Sequence, residues 1–346
     1  MDIKVSQLPV VQDGYYVEEY ELSNDDDFRI CLTNFGATLE SILWPAGSKK
    51  HQDILLGYDH TMDWLEDDSW FGATAGRCCN RIRNSEVAIN DVQYKLNANT
   101  PPHQLHGGLR GFNKRNWRGI PFEKDKTIGV QFFYLSRHLE EGFPGNLSVE
   151  AIFTLNNKNE ITIQYKANTD QTTICNITCH PYYNLDQSEN ILNHQLFINA
   201  DRITPVDADL IPLGNYMDVA GSAFDFRKSS EIGPRLNQAD PQLSIAKGFD
   251  HNYVLNSADI TVKSASLKSK FRTIDFYTNQ QGIQFYTGNH FNHHKGKSAI
   301  GYSRYAGLCL ETQGLPDAAN NPEFPSVILH PGHTYHSITK LVLQEN

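Results

Sequence analysis

The amino-acid sequence predicts an all-β protein, built as a large twisted sandwich or barrel, and three observations carry that expectation. Short runs of alternating apolar and polar residues recur along the chain, and turn residues separate them. Aromatic residues suited to pleated, half-buried surfaces are abundant, with 16 Tyr, 18 Phe and 4 Trp. Helical periodicity is weak. Many short strands joined by turns and few helices point to a sandwich or barrel.

Taken in order, residues 29–44 read as strand, and residues 62–70 as a short turn of helix. Residues 87–94 form a hairpin in which Asn90-Asp91 is a tight two-residue turn. Residues 127–135 read as a further strand. Residues 147–168 form a second hairpin, with Asn156-Asn157-Lys158-Asn159 at the turn. Further strands are predicted at 195–203, 271–278, 283–287 and 334–343, and loops at 23–27 and 256–270. No linker, repeat or low-complexity run divides the chain, so a single domain over residues 1–346 is expected.

The chain has 346 residues, 39% of them hydrophobic, enough for a sizeable core. Against 30 Lys and Arg stand 40 Asp and Glu, a net charge of −10. That field repels phosphate backbones and anionic lipid, so nucleic acid and membrane are not expected partners and a neutral small molecule is. The start, Met1-Asp2-Ile3-Lys4-Val5, lacks the apolar core of a signal peptide, and no run reaches the ~18 apolar residues of a membrane helix. Cys31, Cys78, Cys79, Cys175, Cys179 and Cys309 show no disulfide-framework spacing. A cytoplasmic protein with reduced thiols is expected.

Five polar clusters interrupt the strand patterns. In Gly76-Arg77-Cys78-Cys79-Asn80-Arg81-Ile82, two arginines four apart would share one side of a strand, to bind hydroxyls or to pair with acidic neighbours. Leu105-His106-Gly107-Gly108 sets a histidine before two glycines that permit close backbone approach. In Thr178-Cys179-His180-Pro181-Tyr182, the proline stops an alternating run, leaving His180 at a strand end. It is either a proton-transfer group or a buried, satisfied ring. Asp250, in Phe249-Asp250-His251-Asn252, opens an apolar strand and either accepts from a ligand or caps a turn. Glu311, in Leu308-Cys309-Leu310-Glu311-Thr312-Gln313, follows an apolar run, where desolvation would raise its pKa toward that of a useful base.

Zinc is not expected. Cys175 and Cys179 on one strand would stand ~13 Å apart, Cys179 and His180 would face opposite ways, and His293-His294 lies far downstream.

In this order the five clusters resemble the aldose 1-epimerases, the galactose mutarotases. The similarity runs from Asn34-Phe35-Gly36-Ala37 through Gly282-Ile283-Gln284-Phe285-Tyr286-Thr287-Gly288-Asn289 to Pro331-Gly332. It implies a large twisted β-sandwich of the galactose mutarotase-like type, with a sugar cleft on one face. It further implies that His180 is the general acid and Glu311 the general base. His106 would be a second catalytic histidine near the sugar ring, and Asn80, Arg81, Asp250 and Gln284 would bind substrate. The implied reaction opens and recloses a free hexose ring and needs neither cofactor nor metal. Two alternatives share the fold: a hexose-phosphate mutarotase, for which Arg77, Arg110 and Lys114 are the candidate cations, and a non-catalytic carbohydrate-binding protein. The sequence departs from the family pattern at Cys78-Cys79, at Cys179 and Pro181 around the histidine, and at Gly314; these bear on the choice of sugar. Monomer and homodimer remain open.

Overall fold

The computed structural model describes residues 1–45, 50–299 and 301–346. Strands dominate, in three large antiparallel sheets. The first follows chain order: Asp2–Gln12, Tyr15–Ser23, Arg29–Thr33, Thr38–Pro45 and His51–Asp53. The largest has nine strands. Across it run Arg118–Lys124, Thr127–Ser136, Leu147–Asn156, Glu160–Thr169, Tyr335–Glu345, Arg272–Thr278, Lys263–Lys268, Gln195–Ile198 and Ser230–Glu231. The C-terminal strand is therefore central, paired with Glu160–Thr169 on one side and Arg272–Thr278 on the other. In the third sheet, Met217–Asp218, Ala200–Thr204, Asp250–Leu255, Gly282–Tyr286 and Cys309–Gln313 lie side by side.

One contiguous apolar core draws on all three sheets. It joins Tyr20, Ile30 and Ile42 of the first to Phe132, Phe153 and Leu341 of the second and Tyr253, Phe285 and Leu310 of the third. In Leu147–Asn156 every other side chain is buried, the two-fold period of a sheet with one face on the core. Cys309–Gln313 instead buries all five residues. Its Leu310 and Thr312 face the nine-stranded sheet, beside Tyr165 and Phe276. Glu311 therefore points the other way, into a cleft lined by no strand of that sheet.

The predicted hairpins are present. Asn90 and Asp91 both have positive φ, 50° and 61°, as a two-residue turn matched to the strand twist requires. Leu147–Asn156 pairs in register with Glu160–Thr169. Four expectations need correction. The stretch 256–270, expected to be a loop, contains the strand Lys263–Lys268, whose pairing with Arg272–Thr278 outweighs its weak apolar content. The helical turn covers only Thr61–Glu66, as a 3₁₀ helix. Arg77 and Arg81 do not share a strand, because Asn80, with φ +59°, breaks the extended chain before Arg81–Ile82. Cys175 and Cys179 likewise belong to no common strand, since Thr173–Ile174 and Thr178–Cys179 pair with different partners. The N-terminal hairpin Asp2–Gln12 with Tyr15–Ser23, and two short helices, Ile232–Leu236 and Pro241–Ala246, were not anticipated.

Candidate active site

The third sheet supplies one wall of the cleft through its strand register. Gln284 lies opposite Glu311 on one side and Asn252 on the other, and Asp250 lies opposite Tyr286. Residues opposite each other on neighbouring strands share a face, so Asp250, Gln284 and Glu311 emerge together. Gln284 Nε2 donates to Asp250 Oδ1 at 2.6 Å, and Asp250 Oδ2 lies 3.8 Å from Arg81 Nη2. Gln284 Oε1 and Glu311 Oε2 are buried without partners.

The facing wall is built from two pairs of short strands. Thr178–Cys179 pairs with Thr74–Ala75. Just beyond the pairing, the His180 N–H donates to Ala73 O at 3.0 Å and the Gly72 N–H donates to His180 O at 2.9 Å. Cys179 turns away, its Sγ 3.3 Å from Gly72 O, so the expected opposition of Cys179 and His180 holds. Gln104–Leu105 pairs with Arg81–Ile82 and delivers His106. The chain turns sharply after His106: Gly107 has φ +94°, and a Cβ there would stand 1.8 Å from Gly76 O. The Asn80 N–H donates to His106 Nδ1 at 3.2 Å, and the His106 N–H returns a bond to Asn80 O at 3.0 Å. The ring's proton is then on Nε2.

Between the walls lies a cavity of about 250 Å³. All seven residues singled out in the sequence line it: His180, Glu311, His106, Asn80, Arg81, Asp250 and Gln284. His180 Nε2 is 3.5 Å from Glu311 Oε1, and His180 Nδ1 is 3.5 Å from Cys309 Sγ. The His106 and His180 rings meet edge to face, with centroids 5.1 Å apart. Burial pushes Glu311 well above the usual carboxylate range; the neighbouring Asp250 adds to this and Arg81 partly offsets it. Burial lowers His180 to about 4. His106 lies well below the ordinary histidine value, first through burial and then through His180 and Arg81. Burial thus favours neutral rings and a protonated Glu311; the carboxylate becomes the base when the pair's proton sits on His180.

His106, His180 and Glu311 offer donor atoms within 4.8 Å of one another, close to a zinc-binding spacing. A metal-bound imidazole needs one free lone pair and carries its proton on the other nitrogen. The Asn80 amide already occupies the Nδ1 lone pair of His106 and leaves Nε2 protonated. That tautomer suits a hydrogen-bond donor, not a ligand.

Arg77 sits elsewhere. It is 2% exposed, and its guanidinium donates to the carbonyls of Pro144, Gly145, Ser136 and Arg137. Arg110 pairs with Asp13, and Lys114 with Asp68 and the Asp67 carbonyl. None of these three lines the cavity. Cys78 and Cys79 are buried behind the wall, Cys78 in a small apolar cluster and Cys79 against Gln313 Oε1 at 3.3 Å. The sequence reading missed Trp70, Tyr286, His290 and His294, which also line the cleft. The aromatic Trp70-Phe71 pair was the available signal for Trp70; His290, in a loop, and His294, on the short strand His294–Lys295, carry none.

Residues 18–342 match the profile of a family described as Aldose 1-epimerase. The chain is 38% identical over 328 residues to a galactose mutarotase of Bos taurus, covering 93% of each protein. It is 34% identical over 335 residues to an aldose 1-epimerase of Escherichia coli K12, covering 95% of each. Among solved structures it superposes on a galactose 1-epimerase from Lactobacillus acidophilus NCFM with a TM-score of 0.90, at 27% identity, covering 100% of this chain and 99% of that one.

Proposed function

Because this chain belongs to the aldose 1-epimerase family, we propose that it is an isomerase interconverting the α and β anomers of a free hexose such as galactose or glucose. The observation that carries the reading is the facing pair, His180 and Glu311, 3.5 Å apart between cleft walls that also present Asp250, Gln284 and Arg81.

With a sugar between them, Glu311 takes the proton of the anomeric hydroxyl and His180 gives one to the ring oxygen. The bond between C1 and the ring oxygen breaks, leaving an aldehyde and a free hydroxyl. Rotation about C1–C2 presents the other carbonyl face. On reclosure the hydroxyl proton returns to His180 and Glu311 gives its proton back to the new anomeric oxygen. His106, protonated at Nε2, donates to oxygen as charge develops there. Asn80, Arg81, Asp250 and Gln284 hold ring hydroxyls, which satisfy the unpartnered Gln284 Oε1.

A hexose phosphate is disfavoured. Among the described residues lining the cleft, Arg81 is the single lysine or arginine, and Asp250 already lies 3.8 Å from it. A purely binding role leaves two neutral imidazoles beside a carboxyl of raised pKa without a purpose. The central position of the C-terminal strand supports reading residues 1–346 as one domain. Six unbridged cysteines support a cytoplasmic setting. No helix among the described residues is long and apolar enough to cross a membrane.

Polarimetry on freshly dissolved α-D-galactose and α-D-glucose tests the activity. The protein should accelerate relaxation to the equilibrium rotation; no acceleration with any aldose overturns the reading.

A further inference from the structure

Four tryptophans are present, and three have satisfied indole N–H groups. Trp44 donates to Glu345, Trp64 to Phe71 O and Trp117 to Phe112 O. All three are buried, at 3%, 4% and 0% exposure. Trp70 differs on both counts. It is partly exposed in the cleft, and its Nε1–H is shielded from water without a partner. A buried donor left unpaired is costly, so such atoms are few in native proteins and call for an explanation.

The backbone around Trp70 shows that its position is held against a local preference. Its φ is +56°, a left-handed conformation that bulky side chains rarely adopt. Hydrogen bonds clamp the segment on both sides. Buried Asp67 accepts from Ser69 N at 2.9 Å and Phe71 N at 3.2 Å, while Tyr58 OH donates to the same carboxylate at 2.8 Å. Beyond it the Ala73 N–H donates to Trp70 O at 3.2 Å. The indole is thereby fixed beside His106, ring centroids 4.9 Å apart, and His106 in turn abuts His180.

Three side-chain atoms at this cleft are buried and unpaired: the acceptors Glu311 Oε2 and Gln284 Oε1, and one donor, Trp70 Nε1. A hydroxyl both donates and accepts, so a polyhydroxylated ligand can satisfy all three. Building on the mutarotase reading, we propose that Trp70 is a substrate-binding, specificity-determining residue, donating its indole N–H to a sugar hydroxyl and offering its ring to the sugar's apolar face. Aromatic residues with a polar handle suit this double role. Trp70 takes no proton in the reaction; its contribution is to affinity and to the choice among sugars.

The test is Trp70→Phe, which keeps an aromatic ring and removes the donor. KM for D-galactose should rise about three- to tenfold, the worth of one hydrogen bond, with kcat changed less than about threefold. Wild-type tryptophan emission should change saturably with D-galactose, and the variant's should not, since the other three indoles are buried away from the cleft. In wild type alone, acrylamide should quench one accessible tryptophan and D-galactose should protect it, a measurement that does not depend on the variant folding. An unchanged KM in a folded Trp70→Phe protein, or undiminished quenching at saturating galactose, overturns the inference while leaving the mutarotase reading intact. Wild-type protein that neither binds sugar nor speeds anomer exchange overturns the mutarotase reading itself.

Discussion

His180 Nε2 and Glu311 Oε1 face each other at 3.5 Å, each fully enclosed, and each is shifted by burial toward its uncharged form. The two come from opposite walls, one from the end of a two-residue strand and the other from the middle of a buried strand. A sugar entering between them replaces that contact with hydroxyls, which can donate to the carboxylate and accept from the ring.

This pairing predicts the pH dependence. Between the lowered His180 value, about 4, and the raised Glu311 value, the pair holds one proton in total. The reactive form, ionised Glu311 with protonated His180, is a fixed fraction of that one-proton state. The rate constant kcat/KM should therefore be flat between those two values. It should fall on the acid side near pH 4, where a second proton is bound, and on the alkaline side above the ordinary carboxylate range, where the proton is lost. A single transition near 6.5, the unperturbed histidine value, contradicts the assignment.

Cys309 should act as a positioning residue for His180. Burial and the nearby Glu311 push its thiol up, so it stays protonated and can donate to Nδ1 at 3.5 Å, keeping the ring proton on Nε2. Cys309→Ala should lower kcat about tenfold with little change in KM, and Cys309→Ser, which retains a donor, should recover most of the loss. Equal kcat for all three proteins removes the role.

Arg77 should matter for folding and not for sugar. Its guanidinium satisfies four backbone carbonyls and the Ser136 hydroxyl. Arg77→Met should cost about 3 kcal/mol or more in urea unfolding, because those buried acceptors lose their partner. The KM of the remaining folded enzyme should stay within about twofold of wild type; a large KM effect returns Arg77 to the site.

Glu40 does not line the cleft; it is 6% exposed, with Oε1 unpartnered, and burial raises it to about 8. Its folded value exceeds the unfolded one, about 4.5. The stability it contributes is therefore complete below about pH 4.5 and lost as pH rises through about 8. Glu40→Gln should remove this loss, gaining on wild type by up to a few kcal/mol between pH 6 and pH 9, as thermal unfolding would register. A constant difference between variant and wild type across that range contradicts a buried, neutral carboxyl.

The residues that line the cleft were legible in the sequence through the order of short clusters along the chain, each unspecific alone, with Gln284 added by the resemblance. Asp250, Gln284 and Glu311 lie on strands buried almost throughout, which read as apolar runs with a polar residue set in them and not as alternation. What stayed hidden depended on long-range contacts. The strand Asp2–Gln12 is mostly exposed, and its two short alternations, Ile3 with Val5 and Leu8 with Val10, are put out of step by a register shift between Gln7 and Val11. Arg77 looked like a partner for Arg81 until the backbone was seen to leave the strand between them. His290 and His294 reach the cleft from the segment after Gly282–Tyr286, the second from the two-residue strand His294–Lys295, and no local pattern marks where that segment folds back.

The most direct test of the acid–base pair is polarimetry of α-D-galactose with wild type and Glu311→Gln, after circular dichroism shows both folded. Loss of the base should slow the catalysed rate by ~10²-fold or more while the variant still binds sugar. Equal rates for the two proteins on every aldose tried would contradict the account.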